Sequence, residues 1–204
     1  TLQAIINQTK KVDKLVIFDD NDEPQDMRKE LVYSYFFQML DIKGIQWEWV
    51  YAGKKGQHHI HHMANNMGYK WVWRVDDDAI PEPNVLERLY SYTSFLKCGA
   101  VGGSILTPPI MDTSLVTGKI DNINYEPNIQ WGMIETYKKV EHLHCSFLYR
   151  AGIQDFNLGL SRVAHREETL FTYGLHQKGY DIYAVPDAIC WHLKNPDGGI
   201  LSET

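Results

Sequence analysis

Apolar and polar positions change their period along this chain in a way that separates strands from helices. Leu2, Ile5 and Ile6 stand at helical spacing, whereas Lys14-Leu15-Val16-Ile17-Phe18 is a short apolar run suited to a buried strand and closes on Asp19-Asp20. A helix is expected over 26–39, with Leu31, Phe36 and Met39 among its apolar positions. Residues 45–51 alternate and predict a second strand, and Gly53-Lys54-Lys55-Gly56 is a turn into a helix through 58–66. Tyr69-Lys70-Trp71-Val72-Trp73-Arg74-Val75 is rich in β-branched and aromatic residues and predicts a third strand. Pro81 and Pro83 break it, and a helix opens near Asn84 and runs to about residue 97. Strands at 100–106 and 140–150, a helix at 165–178 and an extended segment at 180–191 follow, while 107–137 is poorly periodic. Strands alternating with helices point to an α/β fold with a doubly wound, mostly parallel sheet.

Composition narrows the class. With 204 residues and 44% hydrophobic content the chain can bury one sizeable core, so 1–204 is read as one domain. No apolar stretch approaches the roughly 18 residues of a membrane span, and no secretory signal is apparent in a chain that starts at Thr1. The net charge of −6 argues against a nucleic-acid binder, yet leaves room for a nucleotide held through a metal ion. Cys98, Cys145 and Cys190 are odd in number and far apart, the pattern of reduced, mostly buried thiols. A cytoplasmic protein, or one peripheral to the inner face of a membrane, is expected.

The chemistry begins at Asp76-Asp77-Asp78. Three adjacent carboxylates after an apolar strand are not explained by packing, and they fall beyond its carboxyl end, where open α/β sheets bind ligands. Alternation sets Asp76 and Asp78 on one face and Asp77 on the other. Hard oxygen donors in that arrangement suit Mg²⁺ or Mn²⁺ bridged to substrate phosphates. Asp19 and Asp20 form a second acidic pair at a strand end, and Glu167 and Glu168 a third in a predicted helix. His58, His59, His61 and His62 lack an evident further ligand, so a plain surface helix is the simplest reading of that cluster. Trp47, Trp49, Trp71 and Trp73 lie on predicted strands and are read as core.

Four blocks taken together resemble the family 2 glycosyltransferases, inverting enzymes of the GT-A fold. They are 2–9 with Val16-Ile17-Phe18-Asp19-Asp20-Asn21; Val75-Asp76-Asp77-Asp78-Ala79-Ile80-Pro81; Arg166-Glu167-Glu168-Thr169-Leu170-Phe171 with Gly179 beyond; and Val185-Pro186-Asp187-Ala188-Ile189-Cys190-Trp191-His192. The resemblance implies a Rossmann-like sheet flanked by helices, with a nucleotide-sugar half over 1–80 and an acceptor half over 81–204. It implies Mn²⁺ or Mg²⁺ held by Asp78, Asp76 and His192, and a nucleotide sugar, expected to be a UDP-sugar, met by Asp19, Asp20, Asp76 and Asp77. Glu168, with Glu167 beside it, becomes the base that activates an acceptor hydroxyl on a glycan, glycolipid or other small molecule. Trp131 becomes a surface on which an acceptor sugar stacks. The family opens with a strand that nothing before Thr1 supplies, so an N-terminal strand is expected to precede it.

Three rivals share parts of this pattern. A sugar-nucleotide nucleotidyltransferase also uses acidic metal ligands on an α/β sheet, but would carry a Gly-rich basic loop after its first strand. A retaining transferase shares the metal motif, and the Glu167-Glu168 block favours inversion over it. A binding module with a degenerate site is the non-enzymatic reading.

Overall fold

The computed structural model describes residues 1–108, 118–120, 123–125, 130, 132–163 and 166–193, with the backbone alone at 118–120 and 123–125. The elements are α1 (Leu2–Ile6), β1 (Lys14–Asp19), a 3₁₀ turn (Met27–Lys29), α2 (Leu31–Ile42), β2 (Gln46–Tyr51), α3 (Gln57–Asn65), β3 (Trp71–Arg74), β4 (Ala79–Pro81), α4 (Val85–Ser91), a second 3₁₀ turn (Tyr92–Ser94), β5 (Cys98–Leu106), β6 (Gly118–Ile120), β7 (Ile123–Tyr125), β8 (Lys138–Val140), β9 (Phe147–Arg150), α5 (Glu167–Gln177) and β10 (Asp181–His192).

The main sheet runs β3-β9-β5-β10-β4, with β8 also on β10; β1 and β2 form a separate parallel pair, and β6 pairs with β7. The expected α/β architecture is present, but the main sheet is not mostly parallel as the alternation of strands and helices suggested: antiparallel pairings predominate in it. β5 and β10 are parallel, whereas β3–β9, β9–β5, β10–β4 and β10–β8 are antiparallel. Short strands such as β4 and β9 enter the sheet beside neighbours of opposite direction, which requires no crossover helix. Helices cover both faces. Val101, Leu148, Tyr183 and Val185 pack toward α4 through Val85, Leu86 and Leu89, while Ala100, Phe147, Tyr149 and Ile182 pack toward Phe171 and Leu175 of α5. β5 is therefore buried at every position, which is why it reads as an unbroken apolar and small-residue run. Ile6, Phe37, Leu40 and Ile45 make a further core beneath β1 and β2, with Trp47 and Trp49 partly buried against it.

Three boundaries depart from the sequence pattern. The helix expected from 26 begins as a 3₁₀ turn capped by the Asp26 carboxylate, which accepts from the Arg28 amide at 3.2 Å, and α2 starts only at Leu31. The chain after Asp78 makes the short edge strand β4, and an edge is where Pro81 can sit without a lost ladder bond. The strand expected over 140–150 is interrupted: 141–146 is a loop whose amides bond to side chains from elsewhere in the fold. Among the described residues no helix is long and apolar enough to cross a membrane.

Two features hold the ligand-facing end of the sheet. Gly102 and Gly103 let other chain segments touch β5. A Cβ on Gly103 would stand 1.9 Å from the Ala188 carbonyl oxygen in the β10 bulge, and one on Gly102 would stand 2.3 Å from Gln130 Nε2. The second feature is a buried ion pair. Arg74 ends β3 and its guanidinium donates to Glu167 Oε1 at 2.6 Å, tying the strand to the first residue of α5.

Gly103→Ala is expected to destabilise by about 3 kcal/mol, at the upper end of ordinary overpacking, because the obstructing atom is backbone. Gly102→Ala meets the end of a flexible side chain and should lose less. Urea unfolding of the two variants ranks them, and equal losses would contradict the assigned obstruction. Arg74→Leu leaves a buried carboxyl without its partner and is expected to lose about 3–5 kcal/mol. Adding Glu167→Leu should recover much of that loss, which a double-mutant cycle in urea measures; additive losses would show that the pair is not coupled.

Candidate functional site

Between β3 and β4 the chain turns through the three aspartates. The strand ends at Arg74, so the aspartates lie in the turn and not on alternating strand faces; Asp76 and Asp78 are half-buried and Asp77 is exposed. The Thr1 hydroxyl donates to the carbonyls of Asp77 and, at 2.8 Å, Ala79, which fixes the turn against the start of α1. His192, the last residue of β10, pairs with Ala79 of β4, and its Nε2 lies 3.4 Å from Asp78 Oδ1. Donor atoms of Asp76, Cys145 and His192 all lie within 4.8 Å of one another. Asp76, Asp78 and His192 thus lie close together, and Cys145 joins them. Burial pushes the Asp78 carboxyl up; His192 opposes this, while Asp76 and Asp77 push it higher. Crowded carboxylates of this kind favour a bound cation. The nitrogen and oxygen donors fit Mn²⁺ or Mg²⁺, and the sulfur adds a softer donor.

Glu167 and Glu168 open α5 but face different surroundings. The Glu167 side chain is only 1% exposed and is held by Arg74. Burial pushes its carboxyl up to about 7, with Arg74 pulling against that and Glu168 adding to it. Arg74 also reaches Asp76 Oδ1 at 3.4 Å, so one guanidinium links the acidic turn to the helix. Burial alone would lower the Arg74 guanidinium, but the carboxylates of Glu167, Asp76 and Glu168 raise it further above its ordinary value. The Glu168 side chain is 15% exposed and lies 3.7 Å from His144 Nδ1. Burial would raise its carboxyl, but His144 and Arg74 draw it down to about 2, leaving it ionised at neutral pH.

His144 and Cys145 reach the site from the loop 141–146, which is pinned on two sides. The His144 amide donates to Gln130 Oε1 at 2.5 Å, the Leu143 amide donates to Thr172 Oγ1 at 2.9 Å, and Thr172 Oγ1 donates to the Glu168 carbonyl at 2.9 Å. Ser146 Oγ donates to the Arg74 carbonyl at 3.1 Å. Cys145 itself sits at φ 51, a left-handed conformation unusual for a residue with a Cβ.

Asp19 and Asp20 are engaged by the backbone. Asp19 is buried and accepts from the Asn21 amide at 3.2 Å, Asn21 Nδ2 at 2.6 Å and the Gln25 amide at 2.6 Å. Burial would raise its carboxyl, but these bonds hold it below its usual value. Asp20 accepts from the amides of Lys55 and Gly56 at 2.8 and 2.9 Å, closing the turn ahead of α3. That helix is not the plain surface element expected from its histidines. His58 is buried, His61 packs on Phe156 with ring centroids 5.6 Å apart, and His62 Nδ1 lies 3.8 Å from Asp155. Trp131 lies outside the described residues.

Sequence reasoning missed Arg74, Cys145 and His144 as site residues. Arg74 carried a signal: an arginine inside an apolar strand must be paired if buried. Cys145 and His144 carried none, because the loop that presents them is shaped by tertiary hydrogen bonds.

The fold has solved counterparts. The structure is similar to that of GalNAc-T7 with UDP, GalNAc and Mn²⁺, with a TM-score of 0.69 at 12% identity over 97% of this chain and 40% of that one. It is also similar to S. aureus TarS, with a TM-score of 0.61 at 14% identity over 96% of this chain and 34% of that one. TarS 1-349 in complex with UDP gives the same score and identity, with 56% of that chain covered. This chain therefore spans well under two thirds of each. No curated protein sequence matches it. The model of glycosyl transferase family 2 matches residues 1–157, and on that match over most of its length, with the GT-A fold around the acidic turn, the chain belongs to glycosyl transferase family 2.

Proposed function

We propose that the chain transfers a sugar from a uridine diphosphate donor to an acceptor hydroxyl with inversion, and that it uses Mn²⁺ or Mg²⁺ to do so. The observation that carries this reading is that Arg74 ties the acidic turn, with its candidate cation donors, to Glu167 at the start of α5, which sets the neighbouring Glu168 at the same end of the sheet. Neighbours of the same fold solved with UDP, one of them also with Mn²⁺, support the donor and the ion.

Asp78, Asp76 and His192 would hold the cation. Bound there, a divalent ion supplies Lewis-acid stabilisation to the departing diphosphate. Asp19 and Asp20 each keep acceptor capacity beyond their backbone bonds, and one of them takes the imide N–H of the uracil. Glu168 accepts the proton of the attacking hydroxyl. It is ionised throughout the neutral range and partly exposed, whereas Glu167 is enclosed and held by Arg74. Glu167 is therefore a positioning residue that fixes the start of α5.

Calorimetric titration with UDP tests the donor and the ion together. Binding is expected with Mn²⁺ and lost in EDTA, and Asp78→Ala should abolish the metal-dependent part; equal affinity in EDTA would remove the metal from the proposal. Glu168→Gln should bind donor nearly as the parent does and lower turnover by about 10²-fold or more. Proton NMR of the parent's product, made from an α-linked donor, should show the β anomer because a single in-line displacement inverts the centre. Near-normal turnover of Glu168→Gln moves the base elsewhere, and an α product refutes inversion.

A further inference from the structure

The cation centre contains a group that the transfer reaction does not call for. The Cys145 thiol is buried, and its sulfur lies with a carboxylate oxygen of Asp76 and a ring nitrogen of His192 in a set within 4.8 Å. Donors around a single tetrahedral ion are roughly 3.3–3.8 Å apart, from metal–ligand bonds of about 2.0–2.3 Å. A contraction of about 1 Å would bring the three onto one ion, a movement within reach of side-chain adjustment.

The backbone fixes where the thiol sits. Cys145 holds a left-handed φ of 51, and the residues around it are anchored on both sides. Gln130 takes the His144 amide, and its Nε2 reaches the Ser146 carbonyl at 3.5 Å; Thr172 takes the Leu143 amide. Unfavourable backbone conformations persist where surrounding bonds over-determine them, and they cluster at ligand sites. Cys98, by contrast, lies in regular β5 within an apolar cluster.

We propose that Cys145 is a further ligand of the cation centre beside Asp76 and His192, so that the centre, besides the Mn²⁺ or Mg²⁺ of the transfer reaction, also binds borderline-soft divalent ions (Zn²⁺, Co²⁺, Cd²⁺) through the thiolate. The inference deepens the metal-dependent reading above and rests on it for the identity of the centre. Carboxylate, imidazole and thiolate form a mixed donor set that suits Zn²⁺, whereas Mg²⁺ and Mn²⁺ prefer oxygen. On coordination the Cys145 thiol releases its proton to solvent, and its hydrogen bond to Asp76 is replaced by the shared ion. Asp78, 3.4 Å from His192 Nε2, remains available to complete the shell.

The test uses metal-free full chain titrated with Co²⁺. The parent should develop a near-ultraviolet thiolate-to-cobalt charge-transfer band at one equivalent, Cys145→Ser should lack it, and Cys98→Ser should keep it. In equilibrium dialysis Cys145→Ser should bind Zn²⁺ more weakly by roughly 10²-fold, the scale seen when parts of a metal site are removed, while Mn²⁺ affinity changes less than about threefold. Should Cys145→Ser fold poorly by circular dichroism, the parent alone decides: Cd²⁺ should give a thiolate band, and Zn²⁺ should shield Cys145 from maleimide in peptide mapping. Absence of a sulfur band in the parent, or its survival in Cys145→Ser, overturns the proposal. Metal-dependent UDP binding without any sulfur band would sink the thiol ligand and leave the transferase reading standing. A sulfur band without UDP binding under any ion would do the reverse.

Discussion

The ligand-facing end of this molecule depends on the buried guanidinium of Arg74. It stands at the last position of β3, donates to Glu167 at the start of α5 and reaches Asp76 in the following turn. An isolated ion pair in a protein interior is seldom a net source of stability, since desolvating both charges offsets most of their attraction. What it does well is fix geometry, because any displacement that parts the two charges leaves each one buried alone. Here the pair couples an acidic turn to a helix 93 residues later in sequence. The packing of β5, with its contiguous glycines under Ala188 and Gln130, supplies the rigid floor on which that coupling operates.

Much of this arrangement was legible in the sequence. Short-range periodicity located β1, β2, β3 and β10 and the helices between them, because each has one apolar face or a continuous apolar run. Asp76, Asp78 and His192 were recognisable as a set, and the structure joins Asp78 to His192 directly and Asp76 to His192 within the donor cluster.

What stayed hidden was decided by contacts across the fold. Residues 140–150 contain enough apolar and aromatic side chains to read as one strand, yet 141–146 leaves the ladder because Gln130 and Thr172 satisfy its amides. No local pattern announces a glutamine that docks between β5 and a loop, since Gly102 must first remove the side chain that would occupy its place. α3 illustrates the same point in reverse. Four histidines look like a polar surface, but His58 turns inward and is fully enclosed.

The two glutamates show how neighbouring residues of one chemical type come to have different roles. Successive helical positions point about 100° apart, so Glu167 and Glu168 cannot share an environment once α5 lies against the sheet. Arg166 enters the helix in a left-handed conformation, φ 64, and the turn this imposes sends Glu167 inward to Arg74 and Glu168 toward His144. Desolvation raises the first carboxyl to about 7, while the hydrogen bond from His144 and the nearby Arg74 draw the second down to about 2. Environments that push two titrating groups apart are the usual means by which one site assigns separate roles to similar side chains. In this chain the division follows from one helix start and one buried arginine, so the ionised glutamate and the acidic turn are set by the same pair of contacts.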